Sequence, residues 1–219
     1  MALTCRRLWE RGLIAGAEGN VSVRLAGDRI LATPAGVAKV DLRPEDCVEL
    51  TLAGEPVGAG RASTEIRMHL RIYQRRPDLR AVVHAHPPVA TGFAVAGQGL
   101  VAPVHPEIIF QLGWVPLVPY GTPGTAELPD AMEPFLATHA AWLLASHGAT
   151  TAGATLAQAH QRMEALEAAA RIELTARQLG CVNTLSASQV ETLLATRAAM
   201  GIRDPHPGPP PGARSPAEE

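Results

Sequence analysis

The stretch Ala81-Val82-Val83-His84-Ala85-His86 decides both the predicted fold and the predicted site. Three apolar residues followed by alternating histidines predict a short buried β-strand that ends at a polar edge. Because side chains two apart on a strand point to the same face, His84 and His86 would present their imidazoles side by side. Such a pair suits a divalent metal ion, although histidines at a strand end also find partners in backbone groups or water.

Helical and strand patterns alternate with glycine-rich turns on both sides of this stretch. The first half predicts a helix at 3–11, strands at 21–25, 29–32 and 48–52, and a helix at 65–75 capped by Ser63 and Thr64. The second half predicts a helix at 128–139, a strand at 142–146 pairing back with 150–152, and helices at 155–180 and 186–201. Recurrent prolines between 101 and 119 favour short strands and loops there rather than a helix.

The sequential hairpins favour a largely antiparallel or mixed sheet in an α/β protein. No internal repeat or linker interrupts residues 1–202, which we therefore expect to form a single domain. The remaining segment, 203–219, consists mostly of proline, glycine and charged residues, and its composition predicts a disordered tail.

Composition excludes several classes of function. The chain has 219 residues, 47% of them hydrophobic, and a net charge of −2, so it lacks the basic excess of a nucleic-acid-binding protein. No apolar run is long enough to span a bilayer, so we expect no membrane partner. The three cysteines are widely spaced and form no metal-binding or disulfide pattern, which favours a reducing compartment and a cytoplasmic location.

Two further residues could complete a metal site. His147 follows a second apolar strand, as His84 and His86 follow theirs, and strands ending at one edge would bring three imidazoles together. Glu65 lies in the first turn of the helix before the histidine strand, where a carboxylate could bind the metal or act as a general base. Each has an ordinary explanation too: His147 as a loop histidine, and Glu65 as an acidic residue favoured at a helix N-terminus.

Three short loops carry hydroxyl, amide and backbone N–H groups that could hold a phosphate without a cationic side chain. They are Gly19-Asn20, Thr33-Pro34-Ala35-Gly36 and Ser63-Thr64. Taken singly, each is also an ordinary turn or helix cap.

Six motifs occur in the order seen in one known family. They are Gly19-Asn20-x-Ser22, Thr33-Pro34-x-Gly36, Ser63-Thr64-Glu65, His84-x-His86, Val118-Pro119-Tyr120-x-Thr122-x-Gly124-Thr125 and Ser146-His147-Gly148. The chain thus resembles the class II sugar-phosphate aldolases, the superfamily of fuculose-phosphate aldolase, ribulose-phosphate epimerase and the adducin head. The likeness covers nearly all of the chain before residue 203.

This resemblance implies a three-layer α/β/α sandwich with a central, mainly antiparallel sheet, and a homotetramer with active sites at subunit interfaces. It implies a zinc ion, with Co²⁺ or Mn²⁺ as other occupants, held by His84, His86, His147 and Glu65, the last also serving as base. It also implies a phosphate cradle, formed by Asn20, Thr33, Gly36, Ser63 and Thr64. The implied reaction is reversible cleavage of a phosphorylated sugar, a ketose 1-phosphate, to dihydroxyacetone phosphate and an aldehyde.

The sequence departs from the family at the proton donor. Fuculose-phosphate aldolases carry a tyrosine from a neighbouring subunit where this chain has Pro106, and a second, C-terminal family tyrosine has no counterpart. Glu107 is the preferred candidate for the missing donor, ahead of Tyr120 and His105. Glu107 could equally be an ordinary loop carboxylate with no role in catalysis.

Other functions remain to be separated from the aldolase. An epimerase, dehydratase or decarboxylase could use the same zinc scaffold, although Val89 replaces a histidine typical of the epimerases. A Schiff-base aldolase would need Lys39, the only lysine, which lies in a turn-rich segment. A non-catalytic module like the adducin head would have no reason to keep three histidines and a carboxylate at these positions.

Overall fold

The computed structural model describes residues 1–202, which contain seven α-helices and seven strands. The helices are α1 (Ala2–Glu10), α2 (Ile66–Arg75), α3 (Pro88–Val95), α4 (Pro106–Gln111), α5 (Glu127–Leu136), α6 (Leu156–Gln178) and α7 (Ala187–Ala199). The strands are β1 (Asn20–Arg24), β2 (Arg29–Ala32), β3 (Val48–Thr51), β4 (Ala81–Ala85), β5 (Leu117–Val118), β6 (Ala141–Leu144) and β7 (Gly148–Gly153). The predicted disorder of 203–219 lies outside the described residues.

The strands form one sheet in the order β3-β2-β1-β4-β7-β6-β5. Every neighbouring pair is antiparallel except β5 and β6, which run parallel. The expectation of a mainly antiparallel sheet is therefore confirmed. The histidine strand β4 lies at the middle of this order, between β1 and β7, so both of its edges are hydrogen-bonded.

Alternating side chains of β4 enter two separate hydrophobic clusters. Ala81 and Val83 pack with residues of α1, α3, α4 and α6 on one face of the sheet. Val82, on the opposite face, packs with residues of α2 and α5. Since both sheet faces are covered by helices, the molecule has the expected three-layer α/β/α architecture. Within residues 1–202, no helix combines the length and apolarity needed to cross a bilayer.

The prediction that 101–119 contains no helix is wrong, because α4 lies inside it. Pro106 occupies the first turn of α4, where a missing N–H and a fixed φ cost nothing. The side chain of His105 accepts a hydrogen bond from the backbone N–H of Glu107 and caps the helix. From the sequence, the prolines of this segment are expected to break helices, but Pro106 lies at the start of a helix.

The start of α2 also differs from the expectation. The N-cap is Glu65, and neither Ser63 nor Thr64 caps the helix as predicted. The Ser63 hydroxyl instead accepts from the N–H of Glu65 at 3.4 Å, inside the turn that leads into the helix. The helix thus begins one residue later than predicted, and the Glu65 carboxylate lies at the positive end of α2, which favours its ionised form.

Candidate active site

His84 and His86 lie at the end of β4. The His84 ring is fully buried, and its Nδ1 is 2.9 Å from the carbonyl oxygen of Ala149 and 3.1 Å from the hydroxyl of Thr150, both on β7. A carbonyl oxygen only accepts, so the hydrogen-bond network assigns the ring proton to Nδ1. The lone pair of His84 Nε2 is then available on the other side of the ring.

His147 reaches the same place from the turn between β6 and β7. Ser146 in that turn has φ 53°, an uncommon conformation for a residue with a side chain, and the turn leads the chain back beside β4. The ring centroid of His147 is 4.8 Å from that of His84 and 5.4 Å from that of His86. One potential ligand atom from each of the three histidines lies within 4.8 Å of the other two.

Glu65 closes this cluster from the start of α2. Its Oε1 is 2.9 Å from His147 Nε2, and its Oε2 is 3.5 Å from His84 Nε2. The side-chain amide of Asn20 donates to Glu65 Oε2 at 2.8 Å, which fixes the carboxylate toward the histidines. The structure thus brings together all four side chains that the sequence singled out as metal ligands.

The chemistry of this cluster fits a divalent cation. His84 Nε2 and His86 Nε2 are buried and have no hydrogen-bond partner among the described residues. Buried polar atoms left unpaired are costly, whereas imidazole lone pairs that converge beside a carboxylate match the donor set of a zinc site. Gly148 also leaves room for the ligands, because a Cβ there would lie 2.4 Å from His86 Cδ2.

Replacing Gly148 by alanine should therefore displace the His86 ring and weaken zinc binding by on the order of 10–100-fold, as loss of ligand orientation does elsewhere. Zinc affinity would be measured by competition with a chromogenic chelator. Gly92→Ala is the matched control, since a Cβ at Gly92 has no heavy atom within 4 Å and should leave the affinity unchanged. Equal zinc affinity in Gly148→Ala and Gly92→Ala would contradict this prediction.

Electrostatics keep Glu65 ionised and the neighbouring histidine neutral. Burial alone would raise the pKa of Glu65, but its hydrogen bond with His147 and the nearby imidazoles outweigh burial and lower the pKa to about 2. Burial lowers the pKa of His84 to about 3, although Glu65 acts in the opposite direction. At neutral pH the cluster therefore offers a carboxylate and a neutral imidazole, the forms that bind a metal.

A buried histidine below the site predicts how stability depends on pH. His69, one turn after Glu65 on α2, is fully buried with Nδ1 2.7 Å from the hydroxyl of Ser22, and burial lowers its pKa to about 4. As pH falls from 6.5 to 4, His69 is protonated in the unfolded chain before it is protonated in the folded chain. The folded state is then less stable, by about 2 kcal/mol at pH 5 relative to pH 8 for one such histidine.

We therefore expect the unfolding free energy of the metal-free protein, measured with urea, to fall between pH 8 and pH 5. The fall should be about 2 kcal/mol smaller in His69→Gln, which lacks the titrating group. Identical pH dependence in the two proteins would show that His69 does not titrate differently in the folded and unfolded states.

The three loops considered as a phosphate cradle adjoin one another. Two backbone hydrogen bonds connect the second loop to the segment that contains the third. The N–H of Ala35 donates to the carbonyl oxygen of Arg61, and the N–H of Ser63 donates to that of Thr33. Asn20 connects the first loop to the third, with its amide 3.4 Å from the Ser63 hydroxyl. The exposed Thr64 borders Gly124, where a Cβ would lie 3.2 Å from Thr64 Cβ, so the motif around residue 124 reaches this surface too.

Thr33 and Gly36 differ in what they can offer a ligand. The Thr33 side chain is fully buried, and its hydroxyl accepts from the N–H of Val21 at 3.2 Å, so its main role in the structure is to hold the first two loops together. Gly36 is exposed with φ 75°, and a Cβ there would have no heavy atom within 4 Å. Any contact of the second loop with a phosphate would therefore come from backbone N–H groups.

The three candidate proton donors lie at the start of α4 and after β5. Glu107 is exposed on α4, and its carboxylate pairs with His105 Nδ1 at 2.5 Å. Tyr120 follows β5 and is 60% exposed. None of the contacts described for these three residues within 1–202 involves His84, His86 or His147.

Sequence reasoning gave no role to Glu18 and considered Lys39 only as a Schiff-base lysine. Glu18 Oε2 lies 2.9 Å from His86 Nδ1, and the only sequence signal was an acidic residue next to the Gly19-Asn20 motif. Lys39 is 2% exposed, and its ammonium donates to the carbonyl oxygens of Ala17 and Val37. Burial lowers the Lys39 pKa, yet both hydrogen bonds hold its nitrogen as a structural donor between loops.

Comparison with known proteins identifies the family of this chain. The family model described as "Class II Aldolase and Adducin N-terminal domain" matches residues 1–174. This chain belongs to that family, and its homologues are enzymes of the aldolase and decarboxylase type.

Three similar proteins illustrate the range of activities. A 5-methylthioribulose-1-phosphate/5-deoxyribulose-1-phosphate aldolase from Rhodospirillum rubrum is 35% identical over 94% of this chain and 92% of its own length. A 3-oxo-tetronate 4-phosphate decarboxylase from Pectobacterium atrosepticum is 33% identical over 75% of this chain and 77% of its own length. The solved L-fuculose-1-phosphate aldolase from Thermus thermophilus is 35% identical, with a TM-score of 0.74 over 84% of this chain and 96% of its own.

Proposed function

We propose that this protein is a zinc-dependent aldolase that reversibly cleaves a ketose 1-phosphate to dihydroxyacetone phosphate and an aldehyde. The observation that carries the proposal is the convergence of His84, His86, His147 and Glu65 on one point. Three imidazoles and a carboxylate are the donor set of a catalytic zinc site, and Co²⁺ or Mn²⁺ would suit the same donors. A bound zinc ion would supply Lewis-acid chemistry, which stabilises negative charge on the oxygen of an enediolate.

Glu65 is proposed as the group that moves the proton on carbon. It is ionised at neutral pH, lies inside the histidine cluster and is oriented by the amide of Asn20. In condensation Glu65 removes a proton from the hydroxyl-bearing carbon of dihydroxyacetone phosphate, and in cleavage it returns that proton.

The substrate phosphate is proposed to bind in the adjoining loops, with Asn20, Thr33, Gly36, Ser63 and Thr64 as its cradle. Support comes from the hydrogen bonds that hold these loops together and from the exposed backbone at Gly36. Because Asn20 donates to both Ser63 and Glu65, it would set the distance between a phosphate bound in the loops and the carbon that Glu65 deprotonates.

Glu107 is proposed as the proton donor to the aldehyde oxygen, from the neighbouring copy of a homotetramer. Hydrogen bonds with its own N–H and with His105 hold the pKa of Glu107 below its usual range. In cleavage its carboxylate would therefore take the proton of the substrate hydroxyl, and in condensation it would return that proton. Support comes from the exposed position of Glu107 on α4. We further propose that residues 1–202 form one class II aldolase domain and that the protein acts in the cytoplasm.

A decarboxylase acting on 3-oxo-tetronate 4-phosphate is the second candidate, favoured by the 33% identity to relatives of that name. Loss of CO₂ from such a β-keto acid leaves the enediolate of dihydroxyacetone phosphate, the species that aldol cleavage also produces. The two reactions differ in the second product, which is an aldehyde for the aldolase and CO₂ for the decarboxylase. The aldolase is preferred because the relative from Rhodospirillum rubrum aligns over 94% of the chain rather than 75%.

Product analysis separates the two candidates. Zinc-loaded protein would be incubated with a panel of ketose 1-phosphates, including the 5-deoxyribulose and fuculose compounds, and separately with 3-oxo-tetronate 4-phosphate. Dihydroxyacetone phosphate would be followed by coupled NADH oxidation, and the aldehyde by mass spectrometry. Dihydroxyacetone phosphate together with an aldehyde supports the proposal, whereas dihydroxyacetone phosphate together with CO₂, and without an aldehyde, supports the second candidate. Unchanged activity after chelation of the metal would refute both.

A further inference from the structure

We propose that Glu18 is a positioning residue that holds His86 in the tautomer and ring orientation a metal ligand needs. The inference rests on the proposed metal centre and extends it by one residue outside the ligand set. It concerns metal binding itself and does not depend on which substrate the enzyme takes.

The geometry around His86 carries this inference. Glu18 Oε2 lies 2.9 Å from His86 Nδ1, within hydrogen-bonding distance. On the other side of the ring, His86 Nε2 is buried and has no partner among the described residues. A carboxylate beside Nδ1 favours a proton there, which leaves the Nε2 lone pair facing His84 and His147.

His84 shows the same arrangement with a different partner. Its Nδ1 lies 2.9 Å from the carbonyl oxygen of Ala149, and its Nε2 is likewise buried without a partner. In both rings an acceptor lies near the outer nitrogen while the inner nitrogen is left free. For His84 the acceptor belongs to the sheet, whereas for His86, which follows the last residue of β4, a side chain must supply it.

Glu18 is itself held in place by its loop. Its second carboxylate oxygen accepts from the N–H of Ala15 at 2.7 Å. The buried ammonium of Lys39 donates to the carbonyl oxygen of the preceding residue, Ala17, at 2.9 Å. Gly19, with φ 69°, packs so closely on β4 that a Cβ would lie 2.9 Å from the carbonyl oxygen of His84. The loop is thus anchored on both sides of Glu18. The carboxylate therefore loses little conformational freedom when it accepts a hydrogen bond from His86 Nδ1.

Glu18→Gln tests the role with a minimal change of shape. The amide oxygen can still accept from Ala15, but the amide NH₂ then faces His86 Nδ1 and can only donate. The proton of His86 should therefore move to Nε2 and block the lone pair. We expect zinc affinity, measured by chelator competition, to fall 10–100-fold, the usual effect of losing such a partner. We also expect ¹⁵N NMR of the metal-free protein to show the Nε2–H tautomer of His86.

Glu10→Gln, an exposed glutamate on α1, is the control and should keep the zinc affinity and the His86 tautomer of the unsubstituted protein. The melting temperature of metal-free Glu18→Gln should match that of the control, which separates lost positioning from lost folding. Unchanged zinc affinity in Glu18→Gln, or weaker binding with His86 still protonated on Nδ1, would overturn the inference.

These readouts also separate this inference from the proposed function. If Glu18→Gln weakens zinc binding but the unsubstituted protein releases no dihydroxyacetone phosphate from any ketose 1-phosphate, the inference stands and the proposed function fails. If the unsubstituted protein is an active aldolase and Glu18→Gln binds zinc normally, the proposed function stands and the inference fails.

Discussion

His147→Gln should leave the purified protein without stoichiometric zinc and lower kcat/KM by about 10³-fold, the scale on which loss of preorganised charge stabilisation acts. The substitution removes one of three imidazoles and the contact of 2.9 Å with Glu65. It also leaves the proposed site without its one ligand from the turn between β6 and β7. Zinc content would be measured by plasma mass spectrometry and turnover with the best substrate of the panel.

Ser146→Gly is the matched control in the same turn. Ser146 is exposed and has φ 53°, a conformation that glycine adopts freely, so this variant should keep full zinc content and activity within about twofold. If His147→Gln kept one zinc per chain and normal turnover, His147 would not be a ligand. The metal centre would then need a different third donor.

The predictable part of this molecule is the part encoded by local periodicity. The alternation in 81–86 predicted a buried strand with two histidines at its end, and β4 is that strand. The sequence Thr155 to Gln158 predicted a capped helix, and the Thr155 hydroxyl accepts from the N–H of Gln158 at 3.1 Å. Such patterns can be read from a few neighbouring residues because the interactions that they encode are local.

The remaining features depend on contacts between distant segments. Pro106 starts a helix only because His105 caps it and the helix packs on α6 and α7, which the proline pattern alone does not reveal. Glu18 and His86 are 68 positions apart, and their contact depends on the path of the loop before β1. The burial of the Thr33 hydroxyl is decided by its bond to Val21, so the sequence could not separate a buried hydroxyl from one that faces a ligand.

Glu65→Gln should retain zinc but lower kcat by about 10³-fold, within the usual range for loss of a general base. The three histidines are unchanged, and Gln keeps the shape of the side chain and an oxygen that can accept from Asn20. It cannot take a proton from carbon. Exchange of the hydroxymethyl hydrogen of dihydroxyacetone phosphate with D₂O, followed by NMR, should therefore be lost together with aldol cleavage.

Glu107→Gln should separate the two proton transfers. Exchange on dihydroxyacetone phosphate needs only the base, whereas cleavage and synthesis also need a proton to move at the aldehyde oxygen. If Glu107 is the donor, its variant keeps rapid exchange and loses carbon–carbon bond cleavage, while the Glu65 variant loses both. Rapid exchange in Glu65→Gln would refute its role as base, and unchanged cleavage in Glu107→Gln would pass the donor role to Tyr120 or His105. The pair of variants thus assigns each proton to a side chain without reference to the identity of the sugar.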